Sequence, residues 1–201
     1  MENFTPTYLS TTKNCIDNFA AFQNEQQINY EKAMSIVVEK IIAVQKNNGK
    51  ILFAGNGGSA GITSHLALDF WKNGQVKAMA FNDPSLLTAL GNDIGYENVF
   101  SKPIEVFAEE NDIVIAISSS GNSQNIINAA KKGKEKNCFV VTLSGFSTDN
   151  KLIGIGDINF YVDSSSYGIV EVLHTLIIHN MLDEKLYTND KINIYHKNMP
   201  L

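Results

Sequence analysis

Apolar residues fall along this chain in two rhythms. Four short runs are apolar almost throughout: KILFAG (50–55), VKAMAF (76–81), DIVIAIS (112–118) and CFVVTLS (138–144); a fifth, INFYVD (158–163), is weaker. Each is short and bounded by Gly, Asn, Asp or Ser, which predicts strands. Their lack of polar alternation predicts burial on both faces, as in a parallel sheet. Between them the spacing changes to three and four. YEKAMSIVVEKIIAVQKN (30–47) sets Ala33, Ile36, Val37, Ile41, Ile42 and Val44 on one helical face. AGITSHLALDFWKNG (60–74) is a second helix with Gly74 as its expected C-cap, and NSQNIINAAKKGKEKN (122–137) is a third, capped by Asn or Ser and Lys-rich at its end. YGIVEVLHTLIIHNMLDEKLY (167–187) is the most apolar long helix.

The alternation of strand and helix predicts an α/β fold, a doubly wound, mostly five-stranded parallel sheet flanked by helices, with a helical N-terminal extension. The expected organisation is a single domain over 1–201: N-terminal helices to residue 48, the α/β core over 49–187, and a polar, loosely held tail over 188–201. Such an N-terminal extension commonly packs on a neighbouring subunit.

In an open parallel sheet, ligands sit beyond the carboxyl ends of the strands. Three stretches are expected there: GNGGS (55–59) after the first apolar run, SSSGNS (118–123) after the third, and GND (91–93) between the second and third. Glycines let backbone approach a ligand, and a following helix offers free N–H groups and a positive dipole end. The second stretch adds the hydroxyls of Ser118, Ser119, Ser120 and Ser123, and hydroxyls with helix-terminal amides suit a phosphate monoester. A dinucleotide site would need an acidic residue about 20 residues past its glycines. Asp83 stands 25 residues past Gly58, in an NDPS that reads equally as a turn and helix cap. The P-loop pattern is absent, because Ala60, not Lys, follows Gly58-Ser59. No nucleotide cofactor is expected.

Composition narrows the classes. With 44% hydrophobic and 18% charged residues the chain reads as globular, and a net charge of −5 without a basic stripe argues against nucleic acid. The two cysteines, Cys15 and Cys138, belong to different elements and form no C-x-x-C pair, so neither a disulfide framework nor a zinc finger is expected. No apolar run reaches the roughly 18–20 residues of a membrane span. The first residues are polar without a signal-like apolar stretch, which gives the expectation of a cytoplasmic protein without a membrane partner.

GNGGSA after a strand, GND in the middle and ISSSGNSQNII after the third strand resemble the sugar isomerase (SIS) domain, and within it the phosphoheptose isomerases, over about residues 30–187. The resemblance implies a flavodoxin-like sheet and isomerisation of sedoheptulose 7-phosphate to D-glycero-D-manno-heptose 7-phosphate. It implies a homo-oligomer, usually a tetramer, with active sites at subunit interfaces. By position, Asn56, Gly57, Gly58, Ser59, Asn92 and Asp93 would line the sugar-phosphate site, and Ser118, Ser119, Ser120 and Ser123 would hold the phosphate. His65 and His179 match family histidines that can bind Zn2+. Asp69 stands where the family usually has Glu, and Glu171 where it usually has Gln; both types can ligate zinc.

Spacing adds its own argument. His65 and Asp69 share a helix face at i,i+4. Glu171 sits in the apolar run IVEVL, where a carboxylate is costly to bury unless paired. His174 reads equally as a partner of that site or as a satisfied core histidine, and His196 as an inert tail residue. An aldose–ketose isomerase needs a base at the carbon beside the carbonyl and an acid for the oxygens. Asp69 is the expected base and His179 the complementary acid/base, with His65, Asp69, Glu171 and His179 as the metal set and Glu171 also touching substrate. The alternatives are an isomerase of another sugar phosphate, or a non-catalytic sugar-phosphate-binding protein of the replication-initiator-associating type.

Overall fold

A computed structural model describes residues 3–192; His196 and most of the polar tail lie outside them. The chain runs α1 (Phe4–Asp17), β1 (Ala20–Gln23), β2 (Gln26–Ile28), α2 (Tyr30–Lys46), β3 (Lys50–Gly55), α3 (Gly58–Lys72), β4 (Lys77–Ala80), α4 (Pro84–Ile94), a 3-10 turn (Tyr96–Asn98), α5 (Ser101–Phe107), β5 (Ile113–Ile117), α6 (Gln124–Glu135), β6 (Phe139–Gly145), β7 (Ile158–Val162) and α7 (Tyr167–Thr188). All five expected strands form, as β3 to β7. Among the described residues, however, the sheet has seven strands, in the order β2-β1-β7-β6-β5-β3-β4. The five from β7 to β4 are parallel, while β1 pairs antiparallel with both β2 and β7.

The N-terminal extension is therefore not wholly helical: a hairpin interrupts it and extends the sheet by two strands. Its turn is Asn24-Glu25, both residues at positive φ (49° and 63°), between Gln23 paired with Gln26. That is the backbone of a two-residue hairpin turn that Asn-Gly usually signals, and with Glu in the second place the sequence cue is lost.

In chain order the parallel strands read 2-1-3-4-5, the flavodoxin-like arrangement, whose order reverses between β3 and β5. Alternation along these strands feeds two cores. Ile51, Phe53, Ile113, Ile115 and Ile117 face α2, α3 and α7, while Leu52, Ala54, Val114 and Ala116 face the α5 and α6 side. The long helix α2 buries Ala33, Met34, Val37, Val38, Ile41 and Val44, a stripe shifted slightly from the expected one, with Ile36 and Ile42 half-buried. Gly74 does not cap α3, whose C-cap is Asn73. A Cβ at Gly74 would lie 2.6 Å from Leu182 Cδ1 and 2.8 Å from the Phe70 carbonyl oxygen, so close packing against α7 explains the glycine. The GND stretch is not a loop but the last turn of α4. Asp83 caps that helix, its Oδ1 accepting from the N–H groups of Ser85 (2.9 Å) and Leu86 (3.1 Å).

Candidate active site

The two loops expected to cradle a ligand follow β3 and β5, which are neighbours at the point where the strand order reverses. They meet in a cleft of about 230 Å³ lined by Asn56, Gly57, Gly58, Ser59, Ser118, Ser119, Ser120, Ser123, Tyr167 and Glu171, with Ile117 at its floor. Three helices begin at this cleft: α3 from the glycine loop, α6 from the serine loop and α7 through Tyr167.

The glycine loop turns on Gly57, whose φ of 53° and ψ of −121° suit only glycine. Gly55 is equally constrained, since a Cβ there would lie 2.7 Å from the Ser59 carbonyl oxygen. In the serine loop, Ser123 occupies the N-cap of α6 but makes no capping bond. Ser118 Oγ instead lies 3.1 Å from Ser123 Oγ and 3.4 Å from Ser120 Oγ, so three hydroxyls converge. Among the described residues, no Lys or Arg lines the cleft. An anion held here is met by hydroxyls, free backbone N–H groups and helix dipoles.

Helices α3 and α7 run side by side in the same direction: Gly58 lies against Glu171, Asp69 near His179, and Gly74 against Leu182. At the far end the buried Lys185 donates to the Gly74 carbonyl oxygen (2.7 Å) and pairs with Asp190. This alignment separates residues that the sequence grouped together. A Cβ on Gly58 would fall 2.4 Å from the Glu171 carboxylate, which therefore occupies the space glycine leaves at the start of α3. His179 is eight residues further along α7, about 12 Å at 1.5 Å per residue. There Asp69 Oδ2 lies 3.3 Å from His65 Nε2 and 3.9 Å from His179 Nδ1, and the rings of the two histidines meet edge to face at 5.6 Å.

These three offer ligand atoms within 4.8 Å of one another. Two imidazole nitrogens and one carboxylate oxygen are the donors of an open zinc site, in which a fourth position is left for water or substrate; Glu171 is not among them. His179 of this trio also lines a groove of about 670 Å³ between the hairpin, the start of α2 and α7, together with Tyr30, Asn180 and Asp183. Burial raises the pKa of Asp183; His179 opposes that rise and Asp69 adds to it.

His174 stands apart from both groups. It is fully buried, with Nε2 3.1 Å from the Ser144 carbonyl oxygen. Since a carbonyl only accepts, the hydrogen is on Nε2, and Nδ1 has no partner among the described residues. Burial lowers its pKa to about 4, with the Ser144 contact opposing. Of its two readings, the geometry favours a neutral core histidine. Asn92 and Asp93 are exposed on α4, where Asn92 Nδ2 donates to Asp93 Oδ1 (2.9 Å), and neither lines the cleft.

The sequence reading missed Tyr167, Tyr96 and Asn125. Asn125 carried a usable signal, a polar residue on the face that α6 buries with Ile126, Ala129, Ala130 and Gly133.

Comparison with known proteins identifies the family. A profile of the SIS domain matches residues 8–145. The chain belongs to the SIS domain family. Among curated relatives, this SIS protein is 38% identical to a phosphoheptose isomerase of Helicobacter hepaticus over 159 residues, covering 76% of this chain and 79% of the relative. It is 42% identical over 145 residues to the phosphoheptose isomerase of Campylobacter jejuni, covering 68% and 76%. The structure of phosphoheptose isomerase from Neisseria gonorrhoeae superposes with a TM-score of 0.79 at 30% identity, over 92% of this chain and 98% of that one.

Proposed function

We propose that this protein is an aldose–ketose isomerase that converts sedoheptulose 7-phosphate to D-glycero-D-manno-heptose 7-phosphate. One observation carries the reading: the glycine and serine loops converge on a single cleft suited to a phosphate monoester, in a chain whose relatives bear the name phosphoheptose isomerase. The phosphate sits among Ser118, Ser119, Ser120 and Ser123, with Asn56, Gly57, Gly58 and Ser59 on the opposite wall. Glu171 meets the first hydroxyls of the sugar. An extended seven-carbon chain then reaches along α7 toward Asp69 and His179.

The reaction moves two hydrogens. Asp69 takes a proton from C1 of the ketose while the oxygen on C2 gains one from His179, giving a 1,2-enediol. Loss of the O1 proton and protonation of C2 then give the aldehyde, with the same two groups reversing roles. The donor set of His65, Asp69 and His179 fits Zn2+, which when bound supplies Lewis-acid polarisation of the carbonyl oxygen. Asn92 and Asp93 remain part of the proposal only as residues that a neighbouring copy brings to the site.

A homo-oligomer, by family analogy a tetramer, supplies that neighbour. Leu68, Trp71, Val172 and Leu176 are 39%, 53%, 60% and 44% exposed on α3 and α7, around the trio. Apolar patches on that scale call for cover. Light scattering on a sizing column tests this, with a monomer as the refuting result.

The decisive assay incubates the protein with sedoheptulose 7-phosphate, with and without a chelator, and follows products by NMR. Conversion to the heptose 7-phosphate is expected. No conversion in either condition refutes the reading and favours a non-catalytic sugar-phosphate binder.

A further inference from the structure

Three side chains from distant parts of the chain form one polar clamp beside the cleft, which Asn56 lines. Asn56, in the glycine loop, faces Asn125, in the first turn of α6. Asn56 Nδ2 donates to Asn125 Oδ1 at 2.9 Å, and Asn125 Nδ2 donates to Asn56 Oδ1 at 2.8 Å. Tyr96, from the 3-10 turn after α4, places Oη 3.1 Å from the same Asn56 Oδ1. Asn125 is 4% exposed, whereas Tyr96 is 56% exposed.

The polarity of this chain of bonds is fixed from one end. Asn125 Oδ1 also accepts from the backbone N–H of Ile126 at 3.0 Å. A backbone N–H can only donate, so the amide of Asn125 cannot be turned over without setting NH2 against N–H. Its Nδ2 must then face the oxygen of Asn56, and Asn56 is fixed in turn. Both lone pairs of Asn56 Oδ1 are occupied, by Asn125 and by the Tyr96 hydroxyl. One N–H of Asn56 is occupied too. What Asn56 has left is its second N–H, in a residue that lines the cleft.

We propose that Tyr96 and Asn125 are positioning residues: together they lock the glycine loop to the serine-loop helix and oblige Asn56 to meet the substrate as a hydrogen-bond donor only. The clamp sets the gap between the two cradles, because it ties the loop after β3 to the helix that follows β5. It also connects the segment after α4 to the site; that segment is tied to α6 separately by Asn128 Nδ2, which donates to the Glu97 carbonyl oxygen at 2.8 Å. The substrate oxygen that Asn56 meets is an acceptor, either of the phosphate or of a hydroxyl. This inference rests on the phosphosugar reading above.

The test compares wild type with Asn125→Asp, Tyr96→Phe and Asn128→Ala. A carboxylate at 125 still accepts from Asn56 Nδ2 but cannot donate to Asn56 Oδ1, so two oxygens oppose each other, the pair opens, and Asn56 no longer holds its second N–H toward the substrate. For Asn125→Asp, KM for sedoheptulose 7-phosphate rises about tenfold or more while kcat changes little, as expected for one lost bond to a charged or polar oxygen plus one repulsive contact. Tyr96→Phe raises KM by about threefold, the loss of one orienting bond. Asn128→Ala, which tethers the same segment without touching Asn56, leaves KM unchanged. A lower melting temperature with unchanged KM in Asn125→Asp and Tyr96→Phe overturns the proposal.

Hydrogen exchange of the Asn56 side-chain amide, read by NMR in the absence of substrate, separates this inference from the function it rests on. In wild type one of the two protons is protected and the other exchanges quickly; in Asn125→Asp the protected one changes its shift and exchange rate. If wild type fails to isomerise the sugar phosphate, the functional reading falls, and the exchange pattern alone decides for or against the clamp. Two equally fast protons in wild type overturn it.

Discussion

His174 makes a sharp test of the site's partition, because its burial couples to stability with a definite sign. In the folded protein its pKa is lowered from 6.5 to about 4, chiefly by burial. The unfolded chain therefore takes up a proton at a pH where the folded one does not. Stability from this group is fully present above 6.5, falls as pH drops below that value, and levels off below about 4. At 1.36 kcal/mol per pH unit the whole difference is about 3 kcal/mol, of which about 2 kcal/mol is lost between pH 7 and pH 5. Other groups titrate nearby; Asp183 and Glu184, both raised by burial, contribute with the opposite sign. The comparison is therefore with His174→Gln, whose amide can still donate to the Ser144 carbonyl oxygen but does not ionise. Urea denaturation of both proteins between pH 7.5 and pH 4.5 gives the difference in unfolding free energy. Wild type should lose about 2.5 kcal/mol more than the variant over that range, and the variant should retain isomerase activity. Parallel stability profiles would show that His174 is not held neutral by burial. Loss of turnover in a well-folded variant would show that it belongs to the chemistry after all.

Other consequences are equally direct. Asp69→Asn and His179→Ala should each abolish isomerisation, measured by product NMR, with the thermal unfolding midpoint held within a few degrees of wild type; full activity in either sinks the assigned roles. His65→Ala should lower the affinity for Zn2+ by at least about tenfold in a competition titration with a chromogenic chelator, since it removes one of three ligands; an unchanged affinity would place the metal elsewhere. Replacing Ser120 and Ser123 together by Ala should raise KM for the phosphorylated sugar by roughly tenfold to a hundredfold through two lost donors, and an unaltered KM would move the phosphate out of the serine loop. Gly121→Ala should cost about 2–4 kcal/mol in chemical denaturation. Its φ is 65° and a Cβ would lie 2.0 Å from Oδ1 of the buried Asn150; a loss below about 1 kcal/mol would mean that the loop yields freely.

The proposed division of labour follows from the way α3 and α7 lie together. A phosphate at the mouth of both helices is stabilised by their dipoles, which fade within the first turn. Acid–base groups about three turns further on escape that field. A carboxylate with imidazole partners can then exchange protons without the phosphate loops drawing negative charge toward themselves. Glu171 is the exception, a carboxylate at the start of α3 where a positive dipole end faces it.

Much of this was written in local sequence. The strands β3, β5 and β6 were legible because both of their faces are buried, which leaves an unbroken apolar run that needs no partner to be recognised. The glycine and serine loops were legible because backbone approach and a cluster of hydroxyls each demand particular residue types at fixed offsets. The hairpin β1–β2 was not, because its turn uses Asn-Glu where the cue is Asn-Gly. Nor was the fate of GND, whose Gly sits inside a helix started by the Asp83 cap and laid on the second core through the partly buried Leu86, Leu87 and Leu90.

What the sequence determined alone is the set of chemical groups and the two loops that begin helices, since composition and short-range spacing suffice for those. Which groups meet was decided only by the tertiary structure. The parallel packing of α3 on α7 sends Glu171 to the cleft and His179 to Asp69, although all belong to one predicted cluster. The pairing of Asn56 with Asn125 and Tyr96 joins positions 69 and 40 residues apart. Contacts of that separation are set by strand order and helix packing, and no local pattern of residues encodes them.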